Sequence, residues 1–287
     1  APCIGNVCEF LPTVILISFI LGIVPPLQSL LHMSSIQFNA ILLISLAALG
    51  CSTSTKVPQQ QIVLSTKGPI SIDARTIGGD VTITADDSIH GTVVTVQRRI
   101  LQELQIEDLM QWITLEADVV NTNIGQKVVV KTSASHNELN LMRADVSIST
   151  NSIEDVQVQT STGDVTLLGI SGSLDIRTSD GDILVATNNP MVKTVSIENH
   201  RGNIIFRVSE LSTGNIDISA IGGDARFDAI SGHASVLSNT SKGHVMAVLN
   251  DGKNVVNLRT VDGNASFEVV KNPMANRISW NFDWLPF

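Results

Sequence analysis

The sequence predicts an all-β protein: a β-solenoid-like stack of two-stranded coils of about 20 residues each. Three observations carry this prediction. A glycine followed by a polar and then an apolar residue recurs at Gly163, Gly181, Gly202, Gly223, Gly243 and Gly263, with spacings of 18, 21, 21, 20 and 20 residues. Behind each glycine, side chains alternate apolar and polar, the period of a strand with one buried face. A second alternating run sits inside each period, in columns such as Leu174, Val195, Ile216, Ala234 and Val256. A repeat of this length implies stacking, because one coil cannot bury its own apolar face.

The chain divides in order as follows. Residues 1–50 contain no Lys or Arg and a single acid, Glu9. They hold two apolar runs, Leu11 to Val24, closed by Pro25-Pro26, and Ile41 to Gly50. The second run ends Leu46-Ala47-Ala48-Leu49-Gly50-Cys51 and is followed by Ser52-Thr53-Ser54-Thr55-Lys56. Small residues before a cysteine at the end of an apolar stretch resemble a bacterial lipoprotein signal peptide, with Met33 to Gly50 as the signal and residues 1–32 as an upstream extension. That resemblance implies acylation of Cys51. Two departures stand against the pattern: no Lys or Arg lies between Ser34 and Asn39, and Ala48 occupies a position where Leu is commoner.

Residues 51–61, rich in Ser, Thr and Gln, read as a tether. Residues 62–160 read as a less regular β part. Strands are expected at Ile62–Ser65, Ile70–Ala74, Val81–Ala85 and Val93–Gln97, then near Ile113–Val120 and Lys127–Thr132 with a hairpin turn at Asn121–Gly125, and at Asp145–Thr150 and Val156–Thr160. Leu101, Leu104, Leu109, Met110 and Ile113 fall on one face of a short amphipathic helix. Residues 161–287 form the regular stack. Its tail alternates Trp280, Phe282 and Trp284, which suits a cap over the open end.

Within the stack the six glycines are expected at turns that need φ > 0. The Asp or Asn after each can bond local backbone. Asp164, Asp182 and Asp224 are interrupted by Asn203, His244 and Asn264, too irregular for the dense repeat of a calcium-binding β-roll. Phe206, Phe227 and Phe267 share the inward phase, so they are expected to form a core ladder, with Phe206 over Phe227 and Phe267 in line two coils on.

Composition excludes several function classes. The net charge is −9, with no cluster of Lys or Arg, so nothing favours nucleic acid. The chain has no Tyr and three Trp, few for an aromatic sugar or RNA platform. Cys3, Cys8 and Cys51 all precede the repeats and make neither a disulfide framework nor a metal motif. His233 and His244 lack a third metal ligand and read as turn-exposed. A polysaccharide-active site would draw on Asp217, Asp228, Glu268, Arg207 and Arg226, whose simpler reading is a solvated face with cross-strand charge pairs, Arg207 and Arg226 near Asp228. No Gly-x-Ser-x-Gly elbow or phosphate-binding glycine loop occurs.

The run Thr160-Ser161-Thr162-Gly163-Asp164-Val165 and its echo Thr178-Ser179-Asp180-Gly181-Asp182-Ile183 resemble the bacterial candidate-adhesin domains of unknown function called toast-rack or head-GIN-like. The resemblance covers residues 62–270. It implies an extracytoplasmic β-stack, lipid-anchored or membrane-tethered, with no established catalytic residues. The resulting expectation is a non-enzymatic cell-envelope lipoprotein without cofactor or metal. It would be held to the membrane by acylated Cys51, in the outer membrane of a Gram-negative host, and would bind a surface or envelope ligand. An envelope-stress scaffold or sensor and a polysaccharide-active β-helix enzyme are the alternatives.

Overall fold

The computed structural model describes residues 59–100, 113–134, 142–239 and 242–275, within a compact unit that runs from Lys56 to Phe287. Every regular element among the described residues is a strand. In chain order they are β1 (Gln60–Leu64), β2 (Ile70–Thr76), β3 (Val81–Ala85), β4 (Thr92–Ile100), β5 (Ile113–Thr122), β6 (Gly125–Ala134) and β7 (Met142–Thr150). Then follow β8 (Ile153–Thr162), β9 (Val165–Leu168), β10 (Leu174–Asp180), β11 (Ile183–Thr187), β12 (Val195–Arg201) and β13 (Ile204–Val208). The last are β14 (Gly214–Ala220), β15 (Ala225–Ala229), β16 (Ala234–Asn239), β17 (His244–Leu249), β18 (Val255–Asp262) and β19 (Ala265–Val269). Cys51, the aromatic tail and the helix expected from Leu101 lie outside the described residues, although Ile113 itself opens β5.

The strands make two stacked sheets. Sheet A runs β1-β4-β7-β3-β9-β11-β13-β19-β15, and sheet B runs β16-β17-β14-β18-β12-β10-β8-β2-β6-β5. Each coil contributes one strand to sheet B, turns at the glycine, and contributes the next strand to sheet A. Because every coil repeats the same path, neighbouring coils pair in parallel, as β10 does with both β8 and β12. Antiparallel strands finish the stack: β5 on β6, β4 on β7 with β1 on β4, and β17 on β14 with β16 on β17.

The inward faces interlock as one core. Sheet B supplies Ala74, Val158, Ile176, Ile197, Leu258 and Ile218 in register; sheet A supplies Ile83, Leu167, Val185, Phe206 and Phe267. Each of the Val, Leu, Ile and Phe side chains, fully removed from water, contributes about 1.5–3 kcal/mol, and Ala74 less.

The stacking order departs from chain order at both ends. The coil β18–β19 is inserted between β12–β13 and β14–β15, and the coil β2–β3 between β6–β7 and β8–β9. The order expected for the phenylalanines is therefore corrected. Phe267 lies between the other two, edge-on to Phe206 at 5.2 Å and stacked with Phe227 at 5.7 Å. Phe206 does not touch Phe227 as a neighbour, because the inserted β19 separates β13 from β15.

A second correction concerns Gly243-His244-Val245. It opens no strand of sheet A. β17 lies in sheet B, antiparallel to β14, and its partner β16 exposes Ala234 and Val236 instead of burying them.

Candidate functional site

The glycine turns form one edge of the stack, and their chemistry is set by close approach. A Cβ on Gly163 would lie 2.2 Å from Gly79 O, one on Gly181 2.2 Å from Gly163 O, and one on Gly202 2.2 Å from Gly181 O. Further along, a Cβ on Gly263 would lie 2.1 Å from Gly202 O and one on Gly223 2.1 Å from Gly263 O. The ladder thus reads Gly79, Gly163, Gly181, Gly202, Gly263, Gly223, with Gly79 as a rung and Gly243 off it. Positive φ accompanies this approach at Gly163, Gly181, Gly202 and Gly263, but not at Gly223 or Gly243.

Beside it runs a ladder of Asp and Asn. Each backbone N–H donates to the side-chain oxygen of the next coil: Asp80 to Asp145 Oδ1 at 3.0 Å, Asp164 to Asp80 Oδ1 at 3.0 Å and Asp182 to Asp164 Oδ1 at 2.8 Å. The series continues with Asn203 to Asp182 Oδ1 at 2.7 Å, Asn264 to Asn203 Oδ1 at 3.0 Å and Asp224 to Asn264 Oδ1 at 2.9 Å. His244 is not a member. Burial, together with the neighbouring Asp80 and Asp182 charges, raises the Asp164 carboxyl above its ordinary value. These oxygens are spent on joining coils.

A buried Thr or Asn three residues before several glycines completes the turn. Asn199 Nδ2 donates to Gly181 O at 2.7 Å and Thr260 Oγ1 to Gly202 O at 2.9 Å. The sequence carried a signal for these residues in the recurring Thr160, Thr178, Asn199 and Thr260, but reasoning from the glycines alone passed over it.

The outward faces hold the groups free to meet a ligand. On sheet B a groove of about 610 Å³ is lined by the β5–β6 turn residues Asn123 and Ile124, with Ser71, Lys127, Gln157, Asp175, Arg177 and Ser196 among its other residues. Its charges are largely engaged with one another. Asp73, beside the groove, is 4 % exposed and takes Arg75 Nε at 3.0 Å and Lys127 Nζ at 2.9 Å. Burial pushes its carboxyl up, but hydrogen bonds and charge from Arg75 and Lys127 outweigh that and hold it below its ordinary value. Asp155 is likewise held down: burial raises it, and Ser173, through its backbone N–H and its hydroxyl, together with Lys193, lowers it further. Arg177 Nε meets Asp175 Oδ1 at 3.2 Å. The side chains of Ser71, Gln157 and Ser196 make no hydrogen bond among the described residues. They sit on β2, β8 and β12: Gln157 and Ser196 lie in one cross-strand row with Asp175 of β10 between them, and Ser71 lies two residues before Asp73, the β2 residue opposite Gln157.

Of the residues weighed for a polysaccharide-active site, four gather on neighbouring strands of sheet A as two ion pairs, and the fifth, Asp217, lies apart from them. Arg207, Arg226, Asp228 and Glu268 lie on sheet A, whereas Asp217 lies on sheet B with His244 Nε2 at 2.8 Å from its Oδ1. Arg207 Nε pairs with Glu268 Oε2 at 2.6 Å, not with Asp228, because β19 intervenes; Asp228 pairs with Arg226 on its own strand. Among the described residues no group of three His, Cys, Asp or Glu is placed to hold a metal ion.

A model of the Toastrack DUF4097 family matches residues 50–268. The chain belongs to that family. The chain is also similar, at low identity, to solved structures, the first of which shares its fold. A candidate cell adhesion protein from Clostridium sporogenes is 13 % identical with a TM-score of 0.53, the match covering 74 % of this chain and 99 % of that one. A candidate adhesin from Bacteroides fragilis is 11 % identical with a TM-score of 0.31, covering 74 % and 97 %. A search of curated proteins found no match. In this Toastrack chain, sequence reasoning missed the groove itself: the turn at Asn123-Ile124 was legible, but its position near β2, β8 and β10 is a tertiary fact.

Proposed function

We propose that this Toastrack protein is a non-enzymatic binding scaffold of the cell envelope, tethered through acylated Cys51, that engages an extended polar ligand on the outer face of sheet B. One observation carries the reading. The groove under the β5–β6 turn offers unspent hydroxyl and carboxamide groups on Ser71, Gln157 and Ser196, while the carboxylates around it are committed to ion pairs. Donors and acceptors spread over β2, β8 and β12 of one sheet face suit recognition of an extended polar chain. They offer little to a proton-transfer reaction, which needs a poised acid or base. The solved relative described as a candidate cell adhesion protein supports a surface location.

The test is binding of the detergent-solubilised chain to glycan and peptide arrays. A Gln157→Ala/Ser196→Ala double variant should lose binding several-fold, and Arg226→Ala on sheet A should keep it. Equal binding by both variants would move the site off sheet B. For the anchor, globomycin should leave a slower-migrating precursor and Cys51→Ala should abolish the difference; a native chain that does not respond removes the lipid from the proposal.

A further inference from the structure

The outer face of sheet B carries a row of side chains that crosses the strands in register. Arg75 of β2 stands opposite Gln159 of β8, Gln159 opposite Arg177 of β10, Arg177 opposite Glu198 of β12, and Glu198 opposite Arg259 of β18. All five are exposed. An arginine therefore occupies every second strand, and the arginines recur at two strand spacings, about 9.6 Å. Three arginines against one glutamate make the row basic on a chain whose net charge is −9. Only stacking brings these residues side by side.

The fold does not use up these arginines. Arg75 gives Nε and Nη2 to Asp73, which leaves Nη1. Arg177 gives only Nε to Asp175, which leaves both terminal nitrogens. Arg259 makes no ion pair or side-chain hydrogen bond among the described residues. A guanidinium holds its donors in a planar fork that matches a carboxylate. On the strands between, Gln159 can donate and accept, and Glu198 can accept. Gln157 and Ser196 of the groove lie two residues earlier on the same two strands. On sheet A the outward arginines are spent internally, Arg207 on Glu268 and Arg226 on Asp228.

An extended glycan advances by about one strand spacing per sugar, so alternate strands address alternate sugars. Resting on the reading of sheet B as the ligand face, we propose that the ligand is a linear acidic glycan with a carboxylate on every second sugar, lying across the strands. Its carboxylates meet Arg75, Arg177 and Arg259, and the hydroxyls of the sugars between meet Gln159 and Glu198. A glycan acidic at every sugar would drive a carboxylate against Glu198. A neutral glycan would leave three guanidinium groups without a counter-charge.

Binding of the detergent-solubilised full chain to three glycans of matched length tests this. The probes are hyaluronan, with a carboxylate on alternate sugars, polygalacturonate, with one on every sugar, and neutral chitin oligosaccharide. Hyaluronan should bind about tenfold more tightly than chitin oligosaccharide and several-fold more tightly than polygalacturonate, and its binding should weaken as salt is raised. Arg177→Gln/Arg259→Gln should lower hyaluronan affinity about tenfold. Arg143→Gln/Arg226→Gln, which removes the same charge from sheet A, should leave it unchanged. Equal binding of hyaluronan and chitin oligosaccharide, both weakened by Gln157→Ala/Ser196→Ala, overturns the acidic ligand and leaves the sheet B reading standing. Hyaluronan binding that survives Arg177→Gln/Arg259→Gln, or binding of none of the three, overturns the proposal. Should that double variant fail to fold, Glu198→Gln decides: polygalacturonate affinity raised toward that of hyaluronan supports the proposal, and unchanged affinity overturns it.

Discussion

In the central coils, β10–β13 with β18–β19, every strand has a parallel partner on each side. At the distal end, β15 pairs only with β19 and β16 only with β17. The two regions are written in the same repeat. Phe206 and Phe267 are 0 % and 1 % exposed, while Phe227, at the equivalent position in β15, is only partly buried. Val256, Leu258 and Thr260 of β18 are buried on alternate positions, whereas β16, with a comparable pattern, is exposed at nearly every residue. The repeat supplies a strand and a turn. Burial comes from the neighbour, so identical code yields core in one place and surface in the other.

The largest effect should separate the two regions outright. Phe267→Asp places an unpaired charge between two rings in the dry core and should abolish cooperative folding. Phe227→Asp, on the half-open rung, should leave a folded chain with a lower melting temperature by circular dichroism. Equal damage would mean the distal end is as closed as the centre.

Glycine replacement should give a smaller contrast. Gly181→Ala drives a Cβ to 2.2 Å from Gly163 O at a φ of +130° and forces adjacent coils apart, a cost of about 3 kcal/mol or more. Gly232→Ala at the distal end also has positive φ, +86°, but its nearest atom is 3.3 Å away, so only about 1–2 kcal/mol of backbone strain is expected. Urea unfolding of both variants reads the difference.

The smallest effect concerns the Asp and Asn ladder. Asp164 is raised above its ordinary 3.8 by burial and by its neighbours Asp80 and Asp182, so the folded chain holds that proton more tightly than the unfolded one. Its charge therefore weakens the stack above the raised value, and the loss is recovered as pH falls from there toward 3.8. Asp73 and Asp155 act oppositely: their pKa values are lowered, and the stability they contribute is lost as pH falls below 3.8. Melting temperature should rise on mild acidification and then fall. Asp164→Asn, which keeps the oxygen that accepts Asp182 N–H, should raise the neutral-pH melting temperature slightly and flatten the mild-acid rise. Solvent screening keeps the gain small, and salt should shrink it further. A lower melting temperature in Asp164→Asn would contradict the assignment.

Much of this was legible along the chain. The alternation in Val165–Leu168, Ile183–Thr187 and Ile204–Val208 marked strands correctly, because side-chain direction in a strand is fixed by period two alone. Val236 was misplaced because alternation records which face could be buried, not whether anything covers it. Asp80 and Asp145, which are 65 residues apart, were not recognised as rungs of one ladder, since nothing local ties them. The groove was hidden for the same reason. Ser71, Asn123, Gln157 and Ser196 are ordinary surface residues until the stack gathers them.

By itself, the sequence determined most of the strands, the inward phase of the phenylalanines and the positive-φ turns at Gly163, Gly181, Gly202 and Gly263, but not those expected at Gly223 and Gly243; what it determined follows from backbone geometry within a few residues. The tertiary structure decided which coil lies on which. Coils with the same pattern present nearly equivalent surfaces, so local chemistry cannot rank them as neighbours. The insertion of β18–β19 beside β12–β13, and of β2–β3 beside β8–β9, gives both coils a partner on each side. Those insertions are settled by the packing of the whole stack, and they bring Phe267 between Phe206 and Phe227.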